Sequence, residues 1–316
     1  MKKFSTVNDV DDVSELIRLA REIKKNPFKN QLIGKNKTIG LLFFNPSLRT
    51  RLSTQKAAAN LGMNVMVMNL NSDGWSIELE DGTVMNEGTQ EHIKEAAGVV
   101  SQYCDIIGIR TFASLKNRTE DYNETVLNKF IANATVPVLS LESATLHPLQ
   151  SLADVITIEE QKTKKRPKVV LTWAPHPKAL PQAVSNSFIE WMKETDAELV
   201  ITHPEGYELA ESFAKGIKVI HKQEDAFKDA DFIYAKNWSA YHDYGKCQNG
   251  LSQWTVTEEK MRLTNKGKFM HCLPVRRNVV VTDAVLDSET SLVLEQANNR
   301  TYAAQAVLLK MLTDEK

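Results

Sequence analysis

The sequence predicts an α/β protein with two doubly wound parallel-sheet domains. Short β-branched and aliphatic runs alternate with amphipathic helical windows, and the alternation comes in two series. The length, 316 residues, also suits two domains of about 150 residues better than one. Continuous apolar strands separated by helices indicate parallel sheets covered on both faces. In such sheets ligands bind outside the carboxyl ends of the strands.

The first series holds strands at 38–44 (TIGLLFF), 64–70 (NVMVMNL), 105–109 (DIIGI) and 136–141 (VPVLSL). The second holds 168–173 (KVVLTW), 197–202 (AELVIT), 217–221 (IKVIH), 231–235 (DFIYA) and 268–272 (KFMHC). Helical windows include 48–61, 91–103, 148–162, 181–194 and 257–263. The junction between the series lies within the helical stretch 142–165. A last helix at 297–313, with Ala297, Ala303, Val307, Leu308 and Met311, can pack on either domain.

Composition narrows the function classes. An apolar fraction of 42% with 25% charged residues is that of a soluble globular protein. A formal net charge of −1 gives no reason to expect a nucleic-acid partner. No apolar run approaches the ~20 residues that span a bilayer, so no membrane partner is expected. Met1-Lys2-Lys3-Phe4-Ser5 is followed by Asp9, Asp11 and Asp12, unlike a secretory signal. Cys104, Cys247 and Cys272 are odd in number and widely spaced, unlike a disulfide framework. The expectation is a cytoplasmic chain with reduced thiols. No G-x-G-x-x-G follows a strand, no G-x-x-x-x-G-K-[ST] occurs, and no Cys/His cluster has zinc spacing. No cofactor and no metal are expected, and any phosphate would be held by side chains and helix ends.

Strand 38–44 ends at Asn45-Pro46, and Ser47-Leu48-Arg49-Thr50-Arg51 opens the next helical window. One reading makes Ser47 an N-cap followed by solvated arginines. The other is an anion site: unpaired N–H groups at the positive end of the macrodipole, two hydroxyls, and the guanidinium fork of Arg49. Other strand ends favour the second reading. Strand 105–109 runs into Arg110. Strand 136–141 runs into Glu142 and then His147-Pro148-Leu149-Gln150, where Pro148 suits the first turn of a helix. Strand 268–272 runs into Cys272-Leu273-Pro274 and Arg276-Arg277. Polar groups at four carboxyl ends are hard to obtain by chance in this fold.

S-x-R-T-R after a strand, H-P-x-Q opening a helix and H-C-L-P late in the chain resemble the carbamoyltransferase (transcarbamylase) family, in order and spacing over nearly the whole sequence. The resemblance implies a first domain, 1–145, for carbamoyl phosphate, with the last helix, 297–316, packed back on it. It implies a second domain, 146–296, for the amino substrate, and a homotrimer with active sites shared between subunits. The D-x-x-x-S-M-G loop by which ornithine enzymes hold the amino-acid end of their substrate is absent. Tyr234-Ala235-Lys236-Asn237-Trp238 stands in its place, and Trp173-Ala174-Pro175-His176-Pro177 lies upstream. These segments look like the branch that acts on N-acylated ornithine. An acylated α-nitrogen is no longer a cation, so the acidic loop loses its purpose; the substrate carboxylate still needs a cation, which Lys236 can supply. That branch carries a trefoil knot in its second domain, a rare topology. Pro177-Lys178-Ala179-Leu180-Pro181 matches the threaded segment.

Residue roles follow from the resemblance. Ser47, Leu48, Arg49 and Thr50 would bind the phosphate, with Arg300 as a further contact and Trp75 reaching in from a neighbouring subunit. Read alone, Trp75 is as readily a core or cap tryptophan. Arg110, His147 and Thr50 would hold the carbonyl oxygen, where such donors are typically worth about 3–4 kcal/mol each. Gln150 would hold the carbamoyl NH₂. Cys272 and Leu273 would offer backbone carbonyls, since H-C-L-P lacks an evident base to activate a thiolate. Glu142, His176, Lys236, Leu273, Arg276 and Gln90 would contact the acylornithine, and Arg110, His147, Thr50 and Arg276 would carry catalysis. No side chain is an obvious general base, so positioning and electrostatics would do most of the work.

Gln90 marks the acyl group. The succinyl enzymes resemble this segment with Pro there, the acetyl enzymes with Glu. A neutral glutamine avoids setting a second anion against a succinyl carboxylate, and the TWAPHP, ITHPEGYEL and FIYAKNW segments look closer to the succinyl type. The implied reaction carbamoylates the δ-amine of N-succinyl-L-ornithine in arginine biosynthesis. N-acetyl-L-ornithine or another amine as acceptor, and a catalytically silent relative that only binds, are the alternatives.

Overall fold

A computed structural model of the chain describes residues 1–70, 74, 76–248 and 250–314. Trp75 lies outside the described residues. The strands are β1 (Lys3–Phe4), β2 (Thr38–Phe43), β3 (Asn64–Asn69), β4 (Ile77–Glu78), β5 (Glu91–His92), β6 (Ile106–Arg110) and β7 (Val138–Glu142). They continue with β8 (Lys168–Trp173), β9 (Glu198–Thr202), β10 (Lys218–Ile220), β11 (Phe232–Lys236) and β12 (Lys268–Met270). Two five-stranded sheets form, β1-β7-β6-β2-β3 and β10-β9-β8-β11-β12, and every pairing in them is parallel. The chain divides into two compact units: Met1–Ala113 with Thr119–Leu149 and Arg300–Lys316, and Ser114–Arg118 with Gln150–Asn299. One division falls inside helix Pro148–Gln161, another inside helix Val293–Thr313.

In the first unit the chain runs from β2 outward to β3, then returns across β2 to β6 and β7. Strand order therefore reverses between β2 and β6, where an open α/β sheet takes its ligands. Both strands are central and buried. Gly40 in β2 is required by close approach: a Cβ there would meet Cys104 Sγ at 2.7 Å. Ile107, Ile109 and Val138 pack with Leu127 and Phe130 of helix Thr125–Asn133 and with Ile93 and Ala97 of helix Ile93–Tyr103. Each Val, Leu, Ile or Phe among them contributes about 1.5–3 kcal/mol on burial.

The second unit repeats the logic. The chain goes from β8 to β9 to β10, returns to β11 on the other side of β8, and ends at β12. Its reversal lies between β8 and β11. Val170, Val200, Ile233, Ala235 and Phe269 form the core with Val280, Val281 and Leu286.

Several local features differ from the sequence expectation. The strand expected to run through Cys272 stops at Met270, and His271–Leu273 leaves the sheet as a turn, with the Leu273 N–H on His271 Nδ1 at 2.9 Å. The helix expected from 91 begins at Ile93, after Glu91 and His92 pair with Ile77 and Glu78. Helix Val13–Lys25, not among the expected windows, buries Leu16, Ile17, Ala20 and Ile23 and is capped by Asp12 on the Glu15 N–H. Among the described residues no helix is long and apolar enough to cross a membrane.

Candidate active site

At the first reversal β2 hands over to helix Arg49–Asn60. Its N-cap residue is Leu48, and no side chain caps the first turn. Ser47 is therefore not the N-cap, and the first-turn N–H groups are not spent on a capping side chain, as an anion site requires. Thr50 is buried, and the buried Arg300 of the last helix donates from Nη2 to its Oγ1 at 2.6 Å. A hydroxyl that accepts from an arginine turns its own proton elsewhere, so Thr50 is set as a donor. Arg51 serves the fold: its guanidinium lies 4.4 Å from the Phe43 ring and donates to the Asn69 side chain. Ser47 and Arg49 are half-buried beside it in sequence, and Leu48 is exposed.

One strand over, the β6–β7 pairing shifts register so that Arg110 stands opposite Glu142. Arg110 Nη2 meets Glu142 Oε2 at 2.9 Å, and His147 Nε2 lies 3.5 Å from the same oxygen. The three side chains are 11%, 9% and 5% exposed, so this pair sits in a low-dielectric setting where charges interact strongly. Arg110 Nε is buried and has no hydrogen-bond partner among the described residues. A buried unpartnered guanidinium N–H is what a ligand oxygen would complete.

The loop from Glu142 to His147 is held by a residue that sequence reasoning missed. Glu124, at φ +50°, accepts from Ser143 Oγ (2.6 Å), Thr145 N (2.7 Å), Thr145 Oγ1 (2.5 Å) and Ala144 N (3.2 Å). Its distance along the chain left no signal.

In the second unit, Gln150 donates from Nε2 to Asp154 Oδ1 at 2.7 Å. Gln296 donates to the same oxygen at 2.6 Å and accepts from the His271 N–H at 3.0 Å. Asp154 and Gln296 were also missed, although Asp154 stands one helical turn after Gln150, the spacing at which side chains meet. Cys272 is buried and Leu273, at φ +56°, half-buried, in the turn that follows.

At the second reversal, His176 follows β8 and Lys236 ends β11. Arg276 Nε donates to His176 Nε2 at 3.1 Å, and His176 Nδ1 lies 2.8 Å from the Lys178 carbonyl. Arg276 can only donate, so Nε2 accepts from it, while the Lys178 N–H also reaches Nδ1 at 3.2 Å. Burial first, and then the Lys236 and Arg276 charges, hold the imidazole below its usual pKa. Lys236 is buried. A cavity of about 580 Å³ opens here, lined by His176, Gln248, Ser252, Arg276 and Asn278.

Gln90 is exposed, with its N–H on the Ser76 carbonyl at 3.0 Å; none of the bonds described above reaches it. Among the described residues no group of three His, Cys, Asp or Glu is placed to hold a metal ion.

Two doubly wound units, with buried Arg110 and Lys236 at the carboxyl ends of strands beside their reversals, make this an α/β protein of two compact units. Residues 2–160 match the carbamoyl-P binding domain of aspartate/ornithine carbamoyltransferase, and residues 181–311 match its Asp/Orn binding domain. The chain is 54% identical over 314 residues to an N-succinylornithine carbamoyltransferase of Bacteroides thetaiotaomicron, covering 99% of each. It is 36% identical over 331 residues to an N-acetylornithine carbamoyltransferase of Xylella fastidiosa, covering 98% of each. Among solved structures, a single-residue variant of N-acetyl-L-ornithine transcarbamylase complexed with carbamyl phosphate and N-succinyl-L-norvaline superposes with a TM-score of 0.93 at 35% identity, over 98% of this chain and 100% of that one. The chain belongs to the aspartate/ornithine carbamoyltransferase family.

Proposed function

We propose that the chain transfers the carbamoyl group of carbamoyl phosphate to the δ-amine of N-succinyl-L-ornithine, giving N-succinyl-L-citrulline and phosphate, as a step of arginine biosynthesis. The observation that carries this reading is the buried cluster at the β2/β6 reversal, which supplies donors for a phosphate and for a carbonyl oxygen beside it. The acceptor rests on the contrast between 54% identity to an N-succinylornithine enzyme and 36% to an N-acetylornithine enzyme.

In this reading a first domain, 1–145 with the last helix 297–316, takes carbamoyl phosphate. The first-turn N–H groups after Ser47 and Leu48, with Arg49, Thr50 and Arg300, hold the phosphate, and Trp75 completes a neighbouring subunit's site. Arg110, His147 and Thr50 face the carbonyl oxygen, where negative charge grows as the δ-amine attacks. The new N–C bond forms, the C–O bond to phosphate breaks, and the departing phosphate takes the proton. Gln150 accepts from the carbamoyl NH₂, and the Cys272 and Leu273 carbonyls orient the reacting groups. A second domain, 146–296, takes the acylornithine: Lys236 and Arg276 supply the cations its carboxylates need, with His176. Glu142 and Gln90 complete the acceptor contacts.

Assembly as a homotrimer draws support from the first unit's edge. Met66, Val67 and Met68 on edge strand β3, with Leu48 and Leu52, expose apolar side chains that an isolated chain would leave in water. A cytoplasmic location accords with three free cysteines. The trefoil knot is supported by bonds between the two segments it would interlace: Ser239 N donates to the Leu180 carbonyl at 2.8 Å and Gln182 Nε2 to the Ser239 carbonyl at 2.9 Å.

The test is product formation from ¹³C-labelled carbamoyl phosphate offered with N-succinylornithine, N-acetylornithine or ornithine. A ureido carbon appearing with an N-acylornithine supports the reading. Phosphate release without any ureido product, or none at all, overturns it.

A further inference from the structure

Asp154 is fully buried, and its Oδ1 accepts from Gln150 Nε2 at 2.7 Å and from Gln296 Nε2 at 2.6 Å. Gln296 in turn accepts from the His271 N–H through Oε1. A carboxylate can only accept. Gln150 cannot turn its Oε1 toward Asp154 without setting two buried oxygens against each other. Nε2 therefore faces Asp154, and the acceptor Oε1 points the other way. The same reasoning fixes Gln296, and through it the start of the His271–Leu273 turn. The buried Tyr234 hydroxyl lies beside Asp154 and Cys272; burial first, and then the Asp154 charge, push its pKa well up, so it stays protonated.

A neutral acceptor would tie the two glutamines together with less desolvation cost than a carboxylate. What an Asn or Ser could not do is forbid the flipped amide, because each also carries a donor.

We propose that Asp154 is a positioning residue that locks Gln150 as an acceptor toward the carbamoyl NH₂, so that the chain selects carbamoyl phosphate over acyl phosphates with a methyl in place of that NH₂. The inference rests on the carbamoyl-transfer reading above. It assigns selectivity for the donor substrate to a residue that touches no substrate atom.

The full chain is titrated calorimetrically with carbamoyl phosphate, acetyl phosphate and inorganic phosphate. Wild type prefers carbamoyl over acetyl phosphate by about tenfold or more, the scale of one well-placed hydrogen bond to a buried group. Asp154→Asn and Asp154→Leu lose most of that preference, while acetyl phosphate and phosphate affinities stay within about twofold of wild type. Gln150→Ala shows the same loss, and adding Asp154→Asn to it costs nothing more, since both act through one contact. Asp154→Asn, nearly equal in volume, gives the answer even where Asp154→Leu fails to fold. The inference is overturned if Asp154→Asn keeps the wild-type preference, or if all three ligands weaken together, which is the mark of a merely structural role. A wild type that binds carbamoyl phosphate no better than acetyl phosphate overturns the carbamoyl-transfer reading, and this inference with it.

Discussion

Arg300 donates from Nη2 to the hydroxyl of Thr50 across 2.6 Å, tying the last helix to the first turn of helix Arg49–Asn60. Both residues are buried. The bond sets the direction of the Thr50 proton and keeps a guanidinium beside an uncapped helix start. In the proposed function it makes the last helix part of the phosphate site.

Replacing Arg300 with Ala should weaken carbamoyl phosphate by about tenfold or more, since a charge-assisted hydrogen bond is worth roughly 1.5–3 kcal/mol. Arg300→Lys should restore little, because an ammonium lacks the planar fork. Calorimetric titration of both variants checks this. Unchanged affinity in Arg300→Ala would remove the residue from the site.

In the proposed function the Arg110–Glu142 pair links activity to stability. Arg110→Ala should lower kcat by about 10²-fold or more. It should also destabilise the fold by about 3 kcal/mol, because the buried Glu142 carboxylate loses its guanidinium partner. Adding Glu142→Gln should recover most of the stability and none of the activity. Urea denaturation and steady-state rates on the single and double variants separate the two effects; recovered activity in the double variant contradicts the assigned role of Arg110.

Glu124 predicts a purely positional effect. It makes no contact with a reacting group in this scheme, yet four donors of the Ser143–Thr145 loop end on its carboxylate. Glu124→Ala should cost roughly 2–3 kcal/mol by removing the acceptor those four donors share. It should lower kcat more than it raises KM for carbamoyl phosphate, because Glu142 and His147 flank the loop. A melting temperature equal to wild type would show that the loop holds itself.

The histidines give the pH dependence a sign. Burial lowers the pKa of His203, and burial with the Lys236 and Arg276 charges lowers that of His176. In the unfolded chain each titrates near about 6.5. Below that pH and above the lowered folded values, the unfolded state binds more protons than the folded one, so stability is lost as pH falls. The urea midpoint should drop between pH 7.5 and pH 5.5, and His203→Gln should flatten the drop. A midpoint that rises on acidification would contradict the direction.

Much of this was legible in the sequence because parallel strands buried on both faces read as unbroken apolar runs, and the polar residues that follow them stand out. Ser47–Thr50, Arg110, His147 and Gln150 were singled out that way as candidates. Helix Val13–Lys25 escaped because its apolar residues are few among charges, though Asp12 and the Leu16, Ile17, Ala20, Ile23 spacing carried the signal. The turn at His271 was read as strand because His and Cys continue an apolar run; the bond from the Leu273 N–H to His271 Nδ1 is invisible in sequence. Glu124, Asp154 and Gln296 hold other polar groups in place rather than standing at strand ends. Only the folded chain brings Gln296 to Asp154, 142 residues away.

The acyl group of the acceptor is the most exposed part of the proposed function, and kcat/KM for N-succinyl-L-ornithine against N-acetyl-L-ornithine, both with saturating carbamoyl phosphate, tests it directly. The succinyl substrate should lead by about tenfold or more, equivalent to about 1.4 kcal/mol in transition-state stabilisation. Gln90→Glu should narrow or reverse that ratio, because a carboxylate there would repel the succinyl end. A wild type that favours N-acetyl-L-ornithine by the same margin would contradict the assigned acceptor, and efficient carbamoylation of free ornithine would contradict the N-acylornithine reading altogether.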